Sequence, residues 1–197
     1  YVAIHTYKLG TFYNTFGKYA EANGYFVDAL DQFRTVGYEN VPRIWIYLLD
    51  ISNFYYKVGD LETSRTLARE ALTRNDPKED HELNITNTIA LTSQGMRDED
   101  EALNYFFKAL KAAEQKQDSI WIGIISSNIG GIYFHREDYV GAKPFLETGY
   151  REALKFGDLG IALGSVILMA SNHMEVGEMS AAAQCLGLAE DLITKVD

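Results

Sequence analysis

Four histidines, one cysteine and scattered carboxylates are the residues that could carry catalysis, and their spacing supports none. His5, His81, His135 and His173 lie far apart, and none has a second ligand at a metal-binding interval such as HExxH. The chain offers no nucleophile–base set, and a single cysteine, Cys185, cannot form an internal disulfide. That cysteine fits a reducing compartment and reads as a small buried hydrophobe. Gly130-Gly131 follows no strand, so it is not a phosphate cradle. Asn84-Ile85-Thr86 matches a glycosylation sequon, a pattern short enough to arise by chance. Acidic residues gather at Asp98 to Glu101 and at Asp76 to Glu82, in expected turns, and read as solvated edges. No enzyme activity, metal or cofactor is expected, which leaves non-covalent recognition.

Bulk properties narrow the partner. Hydrophobic and aromatic contents of 47% and 13% place the chain far from disorder. A formal charge of −10 with a pI near 4.9 repels phosphate backbones, so no nucleic acid is expected to bind this segment. The longest apolar run, Ile161 to Ala170, is too short to cross a bilayer, so no membrane insertion is expected. The chain begins at Tyr1 without a visible signal peptide, and we expect a cytoplasmic fragment of a longer protein.

The elements that position side chains repeat. Small residues return at three phases of a period of about forty: Gly10, Ala22, Ala29; Ser52, Ser64, Ala71; Ala90, Ala102, Ala109; Gly130, Ala142, Gly149; and Ala170, Ala182, Ala189. All fifteen are Gly, Ala or Ser, with gaps fixed at twelve and seven, which marks a stacked array. Apolar residues recur at helical spacing, as in Leu9, Phe12, Tyr13 and Phe16, and no stretch alternates as a half-buried strand would. Gly17, Gly59 and Gly177 mark turns at one phase, where the other units carry Arg97-Asp98 and Glu137-Asp138. Asp118 and Asp158 are expected to cap the helices that follow them. The pattern predicts five hairpins, beginning near Ala3, Trp45, Leu83, Gly123 and Leu163 at strides of 42, 38, 40 and 40 residues. Pro77, in the shortest stride, should stop its helix early. The first two small residues of each set should face each other within a hairpin, and the third should receive the next hairpin.

These hairpins resemble tetratricopeptide repeats. The first unit reads Leu9-Gly10, Tyr13, Gly17-Lys18-Tyr19, Ala22, Phe26, Ala29, and the fourth reads Ile129-Gly130, Tyr133, Glu137-Asp138-Tyr139, Ala142, Leu146, Gly149. The second and fifth follow suit, while the third puts Ser93 at the aromatic position and Arg97-Asp98-Glu99 at the turn. Ser93's counterpart in the fifth unit is His173, which reads as a core residue rather than a ligand. A typical unit of the family has 34 residues; the extra length here continues the second helix, at Leu30 to Phe33, Leu110 to Ala113 and Tyr150 to Leu154. Such long units look like those of kinesin light chains, of peptide-sensing bacterial regulators, and of repeat regions attached to bacterial histidine kinases and transcription factors.

The resemblance implies an all-α fold, an α-α superhelix (TPR solenoid) of five helical hairpins. It would form a single domain over residues 1–197, with units at about 3–44, 45–82, 83–122, 123–162 and 163–197. It further implies that first helices line a concave groove holding a peptide or protein partner. Carried over by phase, the groove side chains are Tyr7, Thr11, Asn14, Asn53, Tyr56, Asn87, Gln94, Asn128 and Phe134, with Leu49, Leu91, Ser127, Ile167, Ser171 and Met174 beside them. Asn and Gln donate and accept at once, which suits a peptide main chain, although asparagine is also common on solvated helix faces. Groove charge is low, and no basic cluster stands ready to clamp a terminal carboxylate. We therefore expect a non-enzymatic binding scaffold, the interaction or sensing domain of a larger bacterial signalling or regulatory protein. The alternative is self-association through the convex face or through the last helix, Ala181 to Ile193, whose Leu186, Leu188, Leu192 and Ile193 lack a capping helix.

Overall fold

A computed structural model describes residues 2–75 and 81–194. The described residues form ten α-helices with short connections and contain no strand. Residues 1–98 and 99–197 make two compact units, and the boundary falls in a turn of the third repeat. The first unit holds α1 (Val2–Thr15), α2 (Tyr19–Val36), α3 (Ile44–Val58), α4 (Leu61–Arg74) and α5 (Glu82–Gly95), with a 3-10 turn at Tyr38–Asn40. The second holds α6 (Glu99–Gln115), α7 (Ser119–His135), α8 (Tyr139–Phe156), α9 (Leu159–Glu175) and α10 (Met179–Ile193). The expected all-α class is therefore present, and the ten helices match the number that five hairpins require.

One turn is built five times. One or two residues past each first helix the chain doubles back through a left-handed backbone: Gly17, Gly59, Arg97, Glu137 and Gly177 have φ of 71°, 87°, 63°, 60° and 80°. The next amide then bonds the carbonyl five residues back, from Lys18 to Tyr13 at 3.0 Å, Asp60 to Tyr55 at 2.9 Å and Glu178 to His173 at 2.8 Å. Asp98 to Ser93 and Asp138 to Tyr133 repeat the bond at 2.9 and 3.0 Å. This is the Schellman arrangement that satisfies the last carbonyls of a helix. Arg97 and Glu137 adopt it against the preference of their Cβ atoms, so the turn pattern persists where the glycine does not.

All fifteen small positions are buried. A Cβ at Gly10 would stand 2.7 Å from the Phe26 ring, and one at Gly130 would stand 2.7 Å from Leu146 Cδ2. The first small residue thus receives the large residue of the facing helix in its own hairpin. At Gly149 a Cβ would meet both Ser127 and, on the following hairpin, Ser165 Oγ at 3.0 Å. The third position therefore takes the next hairpin, as expected. Phe26, Phe106 and Leu146 are fully enclosed. Tyr13 and Tyr133 lie half-buried against Tyr25 and Phe145, stacked at 5.2 and 5.7 Å. The long second helices are also present: α2 and α8 have 18 residues and α6 has 17, with Phe33, Ala113 and Ala153 buried in the added turns.

Two helices start earlier than expected. Asp118 and Asp158 accept from the backbone N–H groups of Trp121 and Ile161 at 3.2 and 3.0 Å. These caps open α7 at Ser119 rather than Gly123 and α9 at Leu159 rather than Leu163. Asp60 and Asp138 cap α4 and α8 in the same way. Pro77 and the acidic residues Asp76, Glu79 and Asp80 lie outside the described residues. Asp98 and Glu99-Asp100 are ion-paired rather than simply solvated: Arg65 approaches Asp98 at 3.6 Å, and Arg136 binds Glu99 at 2.7 Å and Asp100 at 2.8 Å. Cys185 is buried, and burial raises its thiol pKa. His173 is buried too, with Nδ1 2.6 Å from Glu178 Oε2.

Candidate peptide-binding surface

Within the first unit, three first helices bear candidate residues in parallel ladders. Tyr7, Thr11 and Asn14 recur every three or four residues along α1, so they share one face. Asn53 and Tyr56 do so on α3, and Asn87, Leu91 and Gln94 on α5. The ladders differ by depth. Thr11, Asn53 and Tyr56 are exposed, and Asn14 and Gln94 are half-buried. Tyr7, Leu49 and Asn87, which share one phase, are all less than 9% exposed and form the floor. Adjacent first helices meet beside that phase, where the Tyr7 and Tyr47 rings lie edge to face at 4.9 Å.

Hydrogen bonds tie the ladders together. Tyr7 Oη donates to Asp50 Oδ2, linking α1 to α3. Burial, and then this carboxylate, push the phenol of Tyr7 well above its ordinary pKa of 10, so it stays a neutral donor. Thr88 Oγ1 lies 3.1 Å from Asn53 Oδ1 and 3.0 Å from the Asn84 carbonyl, sharing its one proton between the two acceptors and linking α5 to α3. That bond occupies the Asn53 oxygen, while its amide N–H groups make no other hydrogen bond among the described residues. Asn14 and Asn87 each keep a buried Oδ1 without a partner. Thr88 is a participant that phase did not assign to the groove, and Asp50 was expected only near its edge. The signal for both is adjacency, because each follows directly on a floor residue, Leu49 or Asn87.

The second unit holds the remaining candidates by itself. Asn128 and Phe134 are half-buried on α7, and the Phe134 ring lies 5.7 Å from that of Tyr139. Ser127 and Ser165 hydrogen-bond at 2.7 Å between α7 and α9. Ile167 and Met174 are exposed on α9, and Ser171 is half-buried. This surface is more apolar than that of the first unit.

Neutral donors and acceptors set among aromatic rings can pair with peptide N–H and C=O groups and cover a side chain. Among the described residues no cluster of three His, Cys, Asp or Glu could hold a metal, and no helix is long and apolar enough to cross a membrane.

No protein-family model and no curated protein matches the sequence. Solved structures do match the fold. The apo form of RapI superposes at a TM-score of 0.90 with 15% identity, over 100% of this chain and 72% of that one. A Rap protein complexed with Competence and Sporulation Factor matches at 0.72 with 16% identity, over 96% of this chain and 53% of that one. A Podosopora anserina putative kinesin light chain with nearly identical TPR-like repeats matches at 0.75 with 14% identity, over 98% and 95%. The fold is of the tetratricopeptide-repeat type.

Proposed function

We propose that the chain is a non-enzymatic scaffold that binds an extended peptide or protein segment across the first helices. The observation that carries this reading is Asn53, exposed on α3 and held by Thr88 so that its amide N–H groups remain for a partner. Beside it, Tyr56 and Thr11 stay accessible while every small scaffold position is buried. Low charge at this face suits a main-chain ligand over a carboxylate terminus. We further propose that the chain serves as the sensing or interaction part of a larger bacterial signalling or regulatory protein in the cytoplasm. Support for this comes from the shared fold with a Rap protein complexed with Competence and Sporulation Factor.

Peptides selected from a random displayed library against this chain test the reading. Calorimetry should show Asn53→Ala and Tyr56→Ala each weakening the selected peptide by about tenfold, the loss of one good contact. Both positions are exposed, so thermal stability should barely change. Unaltered affinity in both variants would remove the groove assignment.

A further inference from the structure

We infer that the segment held on the first unit presents a cationic group, an ammonium or a guanidinium, to Asp50 of α3. The inference rests on the peptide-binding reading above and adds the chemistry of one contact to it. The chain has a formal charge of −10, yet the first helices of its first unit carry almost no carboxylate. α1 has none, α5 has only Glu82 in its opening turn, and α3 has only Asp50. Asp50 is exposed one turn before Asn53, on the face that bears Asn53 and Tyr56. A lone negative charge thus stands among neutral hydrogen-bonding side chains.

That charge is held in place from below. Tyr7, 8% exposed on α1, donates its phenol hydrogen to Asp50 Oδ2. The Tyr7 ring is itself fixed, edge to face against Tyr47, which stacks on Phe33 with ring centres 5.3 Å apart. A phenol supplies one hydrogen and no charge, so the carboxylate keeps its full negative charge and its second oxygen. Among the described residues Asp50 makes no ion pair, and Lys57 of the same helix lies instead over the Tyr19 ring at 4.8 Å.

A second group on this floor asks for the same chemistry. Asn87, 6% exposed at the phase of Tyr7, keeps a buried Oδ1 without a partner. An unmet amide oxygen and an uncompensated carboxylate both call for a ligand rich in N–H donors, and the carboxylate calls for a positive one. Two parts of a peptide answer that description, a Lys or Arg side chain and a free amino terminus. The field of an acidic chain draws either toward this face and turns anionic segments away.

Calorimetry of peptides selected from the random displayed library, on the whole chain and on Asp50→Asn, tests this. Asparagine keeps an acceptor for Tyr7 and removes the charge, so circular dichroism should show unchanged helicity. The selected peptides should bind Asp50→Asn about tenfold more weakly, and the difference should shrink as salt rises to about 0.5 M. Replacing a peptide's Lys and Arg by norleucine and citrulline neutralises one source of charge, and acetylating its amino terminus neutralises the other. The change that removes the true source should weaken binding to the wild type and leave it equal to that of Asp50→Asn. Peptides indifferent to Asp50→Asn, or to both neutralisations, would overturn the inference. If those peptides still weaken on Asn53→Ala and Tyr56→Ala, the peptide-binding reading stands without it. Peptides indifferent to all three substitutions, or no selected peptide at all, would overturn both.

Discussion

Ser52 and Ser64 face each other across the α3–α4 crossing and exchange hydrogen bonds reciprocally. Ser52 Oγ donates to the Ser64 carbonyl at 2.7 Å, and Ser64 Oγ donates to the Ser52 carbonyl at 2.8 Å. The other hairpins put Gly or Ala at these phases. Both serines are fully buried, so two polar groups stand at a helix contact without an unmet partner. Ser52→Ala or Ser64→Ala should each cost about 1 kcal/mol, and the double substitution less than the sum, since it also removes both buried hydroxyls. Urea unfolding of the three variants checks this; strict additivity would contradict it.

Glycines of α2 and α7 should respond in opposite directions. Gly130→Ala drives a Cβ to 2.7 Å from Leu146 Cδ2 and 3.0 Å from its backbone nitrogen, and should destabilise by about 1–3 kcal/mol. Gly24 lies mid-helix with nothing within 4 Å of a Cβ, so Gly24→Ala should stabilise by about 0.5–1 kcal/mol. Thermal unfolding of both variants should separate them in sign.

The repeated turn predicts a gain at Glu137. Its φ of 60° suits glycine, so Glu137→Gly should stabilise by about 1 kcal/mol. Gly59→Ala, in the same conformation with open space around it, should lose a similar amount. A loss at Glu137→Gly would mean that its side chain contributes more than the backbone strain it imposes.

Alkaline stability should report on Tyr7. Burial and the Asp50 carboxylate raise its pKa above the ordinary 10, so the fold favours the neutral phenol. That contribution is complete below pH 10 and is lost as pH rises through the folded value, because the unfolded chain ionises first. Unfolding free energy measured from pH 8 to 11 should decline above 10, and Tyr7→Phe should flatten part of the decline. Tyr25, Tyr55 and Tyr139, also raised, retain the rest. An identical slope in Tyr7→Phe would contradict the assignment.

Much of the fold was legible because small residues at a helix crossing leave little freedom. Gly10, Ser52 and Gly130 recur at one phase, and a larger side chain at that phase would strike Phe26 or Leu146. Arg97 and Glu137 were legible as turns by phase alone, although neither favours the backbone it adopts. The apolar periodicity alone places the starts of α7 and α9 four residues late, because the caps at Asp118 and Asp158 set where these helices begin. In the candidate site, one face holds two depths. Asn53 and Asn87 both fall on it, but Asn87 shares the buried phase of Tyr7 and Leu49, whereas Asn53 shares the exposed phase of Thr11. The Thr88–Asn53 bond joins residues 35 apart and depends on how α3 and α5 meet, which no local pattern encodes.

The central claim is that first helices bind an extended segment. A selected peptide carrying a photoreactive side chain, crosslinked to the whole chain and mapped by mass spectrometry, tests it directly. The account predicts attachment on α1, α3 or α5 around Thr11, Asn53, Tyr56 and Gln94, or on α7 around Asn128 and Phe134. Attachment confined to the second helices, α2, α4 or α8, would contradict it.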